Sequence, residues 1–134
     1  MITGFLFFSK LVAGKTSPID WGTGGAELAH QLRCELDRLG VPLDSVDLVV
    51  SGANGARSGD ALEAACLSTL FGAVRAPPIV APKGVLGEYG GGLIAAALLS
   101  LDGAFAGACP SPRRILVSSL AAGGSAAWLV LDRP

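Results

Sequence analysis

Residues 46–63 read VDLVVSGANGARSGDALE, and this stretch carries the clearest structural pattern of the chain. Its first five residues are valine-rich and apolar apart from Asp47, which is typical of a short buried strand. The next five, SGANG, have the composition of a turn. Ser58 then precedes Asp60 and Glu63 in an apolar-periodic run, which predicts a helix capped by Ser58 with acidic residues at its positive end. A strand, a glycine-rich loop and a helix N-terminus can form a site on an α/β sheet, although ordinary connections share this pattern.

The segments on either side of this stretch complete an α/β pattern. Strands are predicted at Ile2–Phe8, Val46–Val50, Ile79–Ala81, Ile115–Ser119 and Ala126–Leu131. Helices are predicted at Gly25–Leu39, Ser58–Phe71 and Gly87–Leu101. The first strand is followed by a long loop, Lys10–Gly25, of a kind that is often functional or contacts a neighbour. The order βαβαβαββ predicts an α/β fold in which one mixed sheet carries helices on its faces, within a single domain spanning residues 1–134.

The helices differ in how their apolar residues are distributed. In the first, leucines at 28, 32, 36 and 39 fall on one face, which predicts an amphipathic helix. The third is apolar all round, which predicts a core helix. Glycines 90–92 near its start predict very close backbone packing there.

Composition limits the classes of function. Of the 134 residues, 51% are hydrophobic and 16% charged, which favours extensive burial against a partner or reflects an alanine- and glycine-rich composition. The net charge is −1 and no basic stripe is present, so we expect no nucleic-acid partner. Arg113 and Arg114 form the only adjacent basic pair, a weak indication of an anion site.

The three cysteines, Cys34, Cys66 and Cys109, show no metal-ligand spacing. We therefore expect reduced thiols, a cytoplasmic location, no metal and no cofactor. Cys34 and Cys66 are predicted core residues, and His30 a surface residue. The apolar N-terminus is interpreted as a strand and not as a signal peptide, and the apolar run 93–101 is too short to span a membrane, so no membrane partner is expected.

The central stretch resembles a motif of the β-ketoacyl synthases, which have the thiolase fold. In that family a strand ends in His-Gly-Thr-Gly-Thr, and Gly-Asp-x-x-Glu soon opens a helix. Gly59, Asp60 and Glu63 match the second part. The alignment places Gly52 at the first catalytic histidine and keeps Gly55 of the glycine-threonine loop.

Two further stretches extend the resemblance. Lys83 and Gly87 match the family's Lys-Ser-x-x-Gly-His motif, but Glu88 stands at the second catalytic histidine. The family's Gly-Phe-Gly-Gly-Thr-Asn turn is similar to residues 121–126, which keep Gly123 and Gly124. The gating phenylalanine of that turn is replaced by alanine.

The resemblance implies the C-terminal half of a thiolase-like fold without its catalytic residues. Decarboxylative condensation needs a thiolate to carry the acyl group and two imidazoles to stabilise the oxyanion. Gly52 has no side chain, and an ionised Glu88 would repel the developing negative charge. The family's nucleophilic cysteine lies in a part of the family's length that the resemblance does not cover. We therefore expect no condensing activity from this chain alone.

The resemblance further implies a truncated, non-catalytic subunit of the chain-length-factor type, as in type II polyketide synthases. Such a subunit pairs with an active β-ketoacyl synthase in a heterodimer or larger complex for polyketide, polyene or fatty-acyl chain biosynthesis. It stabilises the synthase, shapes the acyl tunnel and meets the acyl carrier protein through the complex. Two alternatives are half of a split β-ketoacyl synthase and a purely structural module that caps the dimer.

A set of structural or interface residues follows from these motifs. Asp60 and Glu63 are interpreted as a helix-start cap with an ion pair to Lys83. Glu88 is predicted to pair with Lys83 and plug the dead site or, alternatively, to reach a basic group of the partner. The complete set is Asn54, Asp60, Glu63, Lys83, Glu88, Tyr89, Gly123 and Gly124.

Overall fold

The computed structural model describes residues 2–9, by their backbone alone, together with residues 19–88 and 90–133. Five strands are present in this part of the chain: β1 (Ile2–Ser9), β2 (Leu48–Val50), β3 (Ile79–Val80), β4 (Arg114–Ala121) and β5 (Ser125–Asp132). The helices are α1 (Gly25–Arg38), α2 (Arg57–Phe71), α3 (Lys83–Leu86) and α4 (Gly92–Leu101), with a short 3-10 turn at Leu43–Ser45. Most of the predicted loop Lys10–Gly25 lies outside the described residues.

The strands form one mixed sheet in the order β1-β5-β4-β2-β3. β2 pairs in parallel with β3 and β4, whereas β5 pairs antiparallel with β4 and β1. β2 has a buried residue at each position because helices cover both faces of the sheet, as expected for a central parallel strand. The predicted α/β class and single mixed sheet are therefore confirmed.

Helices α1 and α2 cover one face of the sheet. The predicted leucine face of α1 is confirmed, since Leu28, Leu32 and Leu36 are fully buried. α1 crosses α2 very closely at Gly25, where an added Cβ would lie 2.7 Å from the Cβ of Ala65. This close crossing packs the start of α1 against the middle of α2, and both helices share one core cluster with Val49, Leu116 and Val130 of the sheet.

The third predicted helix differs from its prediction in two ways. It begins at Gly92 and not at Gly87, and residues 83–86 before it form the separate short helix α3, because the positive φ of Gly87 (76°) and Gly91 (79°) is not a helical conformation. Positive φ, and not close packing, explains the glycines here, since a Cβ added to Gly90 or Gly91 would meet no atom within 4 Å.

The prediction that this helix is buried on all sides is wrong for the described residues. α4 covers the second face of the sheet with Ala96 and Ala97, which are fully buried. Its opposite side is apolar yet about half exposed; we call it the open face of α4, and it consists of Ile94 (47%), Leu98 (51%) and Leu99 (53%).

Five smaller predictions are corrected or confirmed. Ser58 does not cap α2, which begins at Arg57, and its N-cap residue Ala56 supplies no side-chain hydrogen bond. Cys34 is exposed and not a core residue, whereas Cys66 is buried and His30 exposed, as predicted. None of the described helices is both long and apolar enough to cross a membrane.

Candidate functional site

The three motif stretches meet near the carboxyl ends of the parallel strands, where α/β sheets commonly bind ligands. The loop after β2 carries Gly52 and Asn54, and the segment after β3 carries Lys83 and Glu88. These two segments are adjacent because β2 and β3 pair in parallel. The sheet therefore brings the two histidine positions of the resemblance, Gly52 and Glu88, together at the carboxyl ends of β2 and β3.

Gly52 lies directly against the backbone of β4. A Cβ built on it would be 2.8 Å from the carbonyl oxygen of Ser118 and 3.3 Å from the Cα of Ser119. Real Cβ atoms do not approach a backbone oxygen so closely, so even alanine would require the strand or loop to move. The loop is therefore closed to an imidazole at this position, a property that the sequence does not reveal.

Glu63 anchors the loop from beneath. Its carboxyl group is buried, with 4% of the residue exposed, and accepts hydrogen bonds from Ser51 Oγ at 2.5 Å and from the Gly52 backbone N–H at 3.1 Å. Ser51 Oγ accepts in turn from the Ala53 N–H. A buried carboxyl group needs such donors, so Glu63 fixes the end of β2. Among the described residues, Glu63 forms no ion pair with Lys83, which pairs with Glu88 instead, so this prediction is wrong.

Asp60 holds the outer half of the same loop. Its two carboxylate oxygens accept from the backbone N–H groups of Asn54 at 3.1 Å and Gly55 at 3.0 Å. Asp60 therefore orders the loop and does not pair with Lys83. The close approach of the Trp21 ring to Gly59, where an added Cβ would be 2.8 Å from the ring, packs the start of α2 from outside.

Glu88 joins the two motif segments. Its carboxylate accepts from Lys83 Nζ at 2.6 Å and from Asn54 Nδ2 at 2.5 Å. The hydrogen bond from Lys83, then that from Asn54, and the lysine's charge lower the pKa of Glu88, so it is ionised at neutral pH. The predicted contact with Lys83 is present, but the Glu88 side chain is 58% exposed and Lys83 13%, so the pair is not a buried plug.

A cavity of about 500 Å³ opens beside this ion pair, between the start of α4 and the strands β4 and β5. Its apolar lining comes from Leu93, Ile94, Val117, Ala127 and Leu129. Lys83 and Glu88 supply the charged groups among its described lining residues. A largely apolar cavity of this size with a few polar groups has the usual form of a small-molecule site. The sequence did not indicate this cavity, because its apolar lining residues come from α4, β4 and β5 and are far apart along the chain.

The glycine turn closes the hairpin between β4 and β5. Gly123 and Gly124 have φ of 89° and 81°, a conformation that residues with a Cβ rarely adopt. The Gly123 N–H also donates to the Asp20 carbonyl oxygen at 3.0 Å. These glycines therefore serve the turn geometry, while Tyr89 lies outside the described residues.

The weak anion site suggested by Arg113 and Arg114 lies at the opposite end of the strands, where β4 begins. Arg114 donates to Asp132 at 2.6 and 3.1 Å and to Ser45 Oγ at 2.6 Å. The hydrogen bond to Asp132 raises the pKa of Arg114. Asp47 accepts from the backbone N–H groups of both arginines, so these residues join β2, β4 and β5 structurally.

Cys66 provides a test of the packing under the site. Burial, and secondly the charge of Glu63, raise the pKa of the Cys66 thiol to about 12. At pH 8 the native thiol is therefore almost entirely protonated and should resist iodoacetamide, whereas exposed Cys34 should react. Mass spectrometry of native and urea-unfolded protein measures this. Equal labelling of both cysteines in the native protein would contradict the packing.

Within residues 19–88 and 90–133, no three His, Cys, Asp or Glu side chains are grouped as metal ligands. No known family model matches the sequence, and no curated protein shows significant sequence similarity to it.

Solved ketosynthase structures, by contrast, match the fold over nearly the whole chain. The type II polyketide synthase complex AntDE:AntF, an acyl-carrier protein with its ketosynthase bound to the hexaketide, gives a TM-score of 0.78 at 13% identity, covering 98% of this chain and 38% of that one. The ishigamide ketosynthase/chain length factor gives 0.73 at 21% identity, covering 99% and 38%. The OzmH KS7 domain of Streptomyces albus JA3453 gives 0.76 at 17% identity, covering 99% and 29%.

The chain therefore has the fold of the C-terminal part of a thiolase-like ketosynthase. The predicted resemblance is confirmed at the level of fold. The chain spans well under half the length of these three structures.

Proposed function

We propose that the chain is a non-catalytic, ketosynthase-like subunit of the chain-length-factor type. It pairs with an active β-ketoacyl synthase, stabilises it and helps to shape the tunnel that holds the growing acyl chain. The observation that carries this proposal is the closed backbone at Gly52. A catalytic histidine has no space there, and the second histidine position holds an ionised glutamate.

The open face of α4 supports pairing with another polypeptide. Three large aliphatic side chains stand about half exposed on one helix, and Val85 and Leu86 of the neighbouring α3 are exposed as well. Contiguous exposed apolar surface is typical of an interaction site. We propose a ketosynthase subunit as the partner because one of the matched structures is a ketosynthase/chain length factor.

The cavity supports a role in holding an acyl chain. It is largely apolar, and Glu88, which stands at the second histidine position of the resemblance, lines it. One of the matched structures contains an acyl-carrier protein, and another is a ketosynthase/chain length factor. We propose by analogy that the acyl carrier protein meets this chain through the complex.

The proposal is tested by co-expression with a full-length β-ketoacyl synthase from the same genome. We expect a stable complex on size exclusion whose products differ in chain length from those of the synthase alone. A split synthase would instead show condensing activity only on mixing. A capping module would support activity without a change in product length.

Pairing through α4 predicts a specific interface variant. Leu98→Glu places a carboxylate in the middle of the open face, so it should weaken co-purification with the synthase at least tenfold. Thr69→Glu is the matched control, since Thr69 is exposed on α2, on the opposite side of the sheet, and should leave the complex unchanged. Retention of the complex by Leu98→Glu would show that this face is not the pairing surface.

A further inference from the structure

Lys83 and Glu88 line the part of the cavity that we call its mouth, and together with the adjacent Asn54 they form an anion-binding arrangement that the protein itself occupies. Lys83 Nζ and Asn54 Nδ2 converge on one carboxylate, and that carboxylate belongs to Glu88. The Asn54 side chain is held in place because its Oδ1 accepts from the Ala56 N–H at 3.0 Å. The same two donors could serve an incoming carboxylate or phosphate of a ligand, but both are already used.

The position of α4 adds to the positive character of this mouth. The helix begins at Gly92, and Gly90, Gly91 and Gly92 line the cavity, so its first backbone N–H groups lie beside the opening. A helix N-terminus favours negative charge. Without Glu88, a lysine and a helix N-terminus would thus line the apolar cavity, with the Asn54 amide next to the lysine.

The charge of Glu88 cancels that of Lys83. These are the charged groups among the described residues that line the cavity. With its pKa lowered, the carboxylate remains ionised at neutral pH and more than half exposed towards the solvent. A second anion brought to the mouth would meet this negative charge and would find both donors engaged.

We propose that Glu88 is a built-in carboxylate that excludes anionic groups from the cavity, so that the cavity accepts a neutral aliphatic chain and rejects its carboxylate counterpart. This inference rests on the proposed function, because it names which acyl groups the tunnel admits. Acyl chains joined through a neutral thioester enter, whereas chains that end in a free carboxylate at this mouth do not.

The test uses two probes of equal length, decan-1-ol and decanoate, below their aggregation limits and at pH 7.5. Isothermal titration calorimetry on the full chain should show at least tenfold tighter binding of decan-1-ol. Glu88→Gln removes the negative charge and frees Lys83, so decanoate should gain at least tenfold while decan-1-ol changes less than threefold. Glu27→Gln, which alters an exposed carboxylate on α1, is the matched control and should change neither affinity.

A double variant identifies the cation responsible. In Glu88→Gln/Lys83→Met the gain for decanoate should disappear, because the freed ammonium group is gone. Equal binding of the two probes to the native protein, or no gain in Glu88→Gln, would overturn the inference while leaving the pairing role intact. Binding of neither probe would overturn it as well. If the native chain instead fails to form a complex with the synthase, that result overturns the proposed function.

Discussion

Replacing Gly52 with histidine, the residue that the β-ketoacyl synthase motif has at the matching position, is expected to destabilise the protein by about 3 kcal/mol and not to create activity. The reason is steric, since a Cβ at this position would stand 2.8 Å from the Ser118 carbonyl oxygen. Gly52→Ala should already cost about 1–3 kcal/mol, because the first carbon atom causes the clash. Urea denaturation followed by circular dichroism measures the free energy of unfolding.

Gly84→Ala is the matched control for this experiment. Gly84 lies within α3, and a Cβ added there would meet no atom within 4 Å. It should be neutral or stabilising by up to about 1 kcal/mol, since alanine favours a helix over glycine. If Gly52→Ala proves as harmless as Gly84→Ala, the loop is open and a histidine at position 52 remains compatible with the fold.

Loss of the Glu63 carboxyl group is expected to have a comparable effect. In Glu63→Ala, Ser51 Oγ and the Gly52 N–H lose their acceptor inside the protein, which should cost about 3 kcal/mol. The change should also increase hydrogen exchange of the Gly52 amide, because in the native protein this N–H donates to the Glu63 carboxyl group. The two measurements are the unfolding midpoint in urea and amide exchange by nuclear magnetic resonance.

Glu27→Ala provides the comparison for this variant. Glu27 is an exposed acidic residue in the first turn of α1, where its nearest side-chain partner is Gln31 at 3.5 Å. Its removal should change stability by no more than about 0.5 kcal/mol. A Glu63→Ala protein as stable as Glu27→Ala would mean that the buried donors find other acceptors.

The parts of the fold that repeat a simple pattern could be predicted from the sequence. The leucine spacing of α1 and the valine run of β2 indicate directly which side chains are buried. Similar patterns along the rest of the chain predict the order of strands and helices. The pairing of Lys83 with Glu88 was also predicted, because both lie on one short turn. The exposure of this pair could not be predicted, because exposure depends on how segments distant in the sequence pack around the turn.

The remaining features depend on contacts between distant segments. The closure of the loop at Gly52 comes from β4, which is more than sixty residues away in the sequence. The all-round apolar character of α4 predicted complete burial, but the described part of the chain covers one side of this helix. Ser58 was a reasonable cap by residue type, yet Asp60 orders the loop in its place.

The position of β5 between β1 and β4 has a consequence for synthesis on the ribosome. Strand β1, Ile2–Ser9, pairs with Ser125–Asp132, which is translated more than a hundred residues later. During that interval the nascent chain carries a strongly apolar segment, ITGFLFFS, without its sheet neighbour. Unpaired apolar strands are prone to aggregation, and distant pairings form slowly. We therefore expect this segment to stay unpaired, and so prone to aggregation, until translation reaches β5.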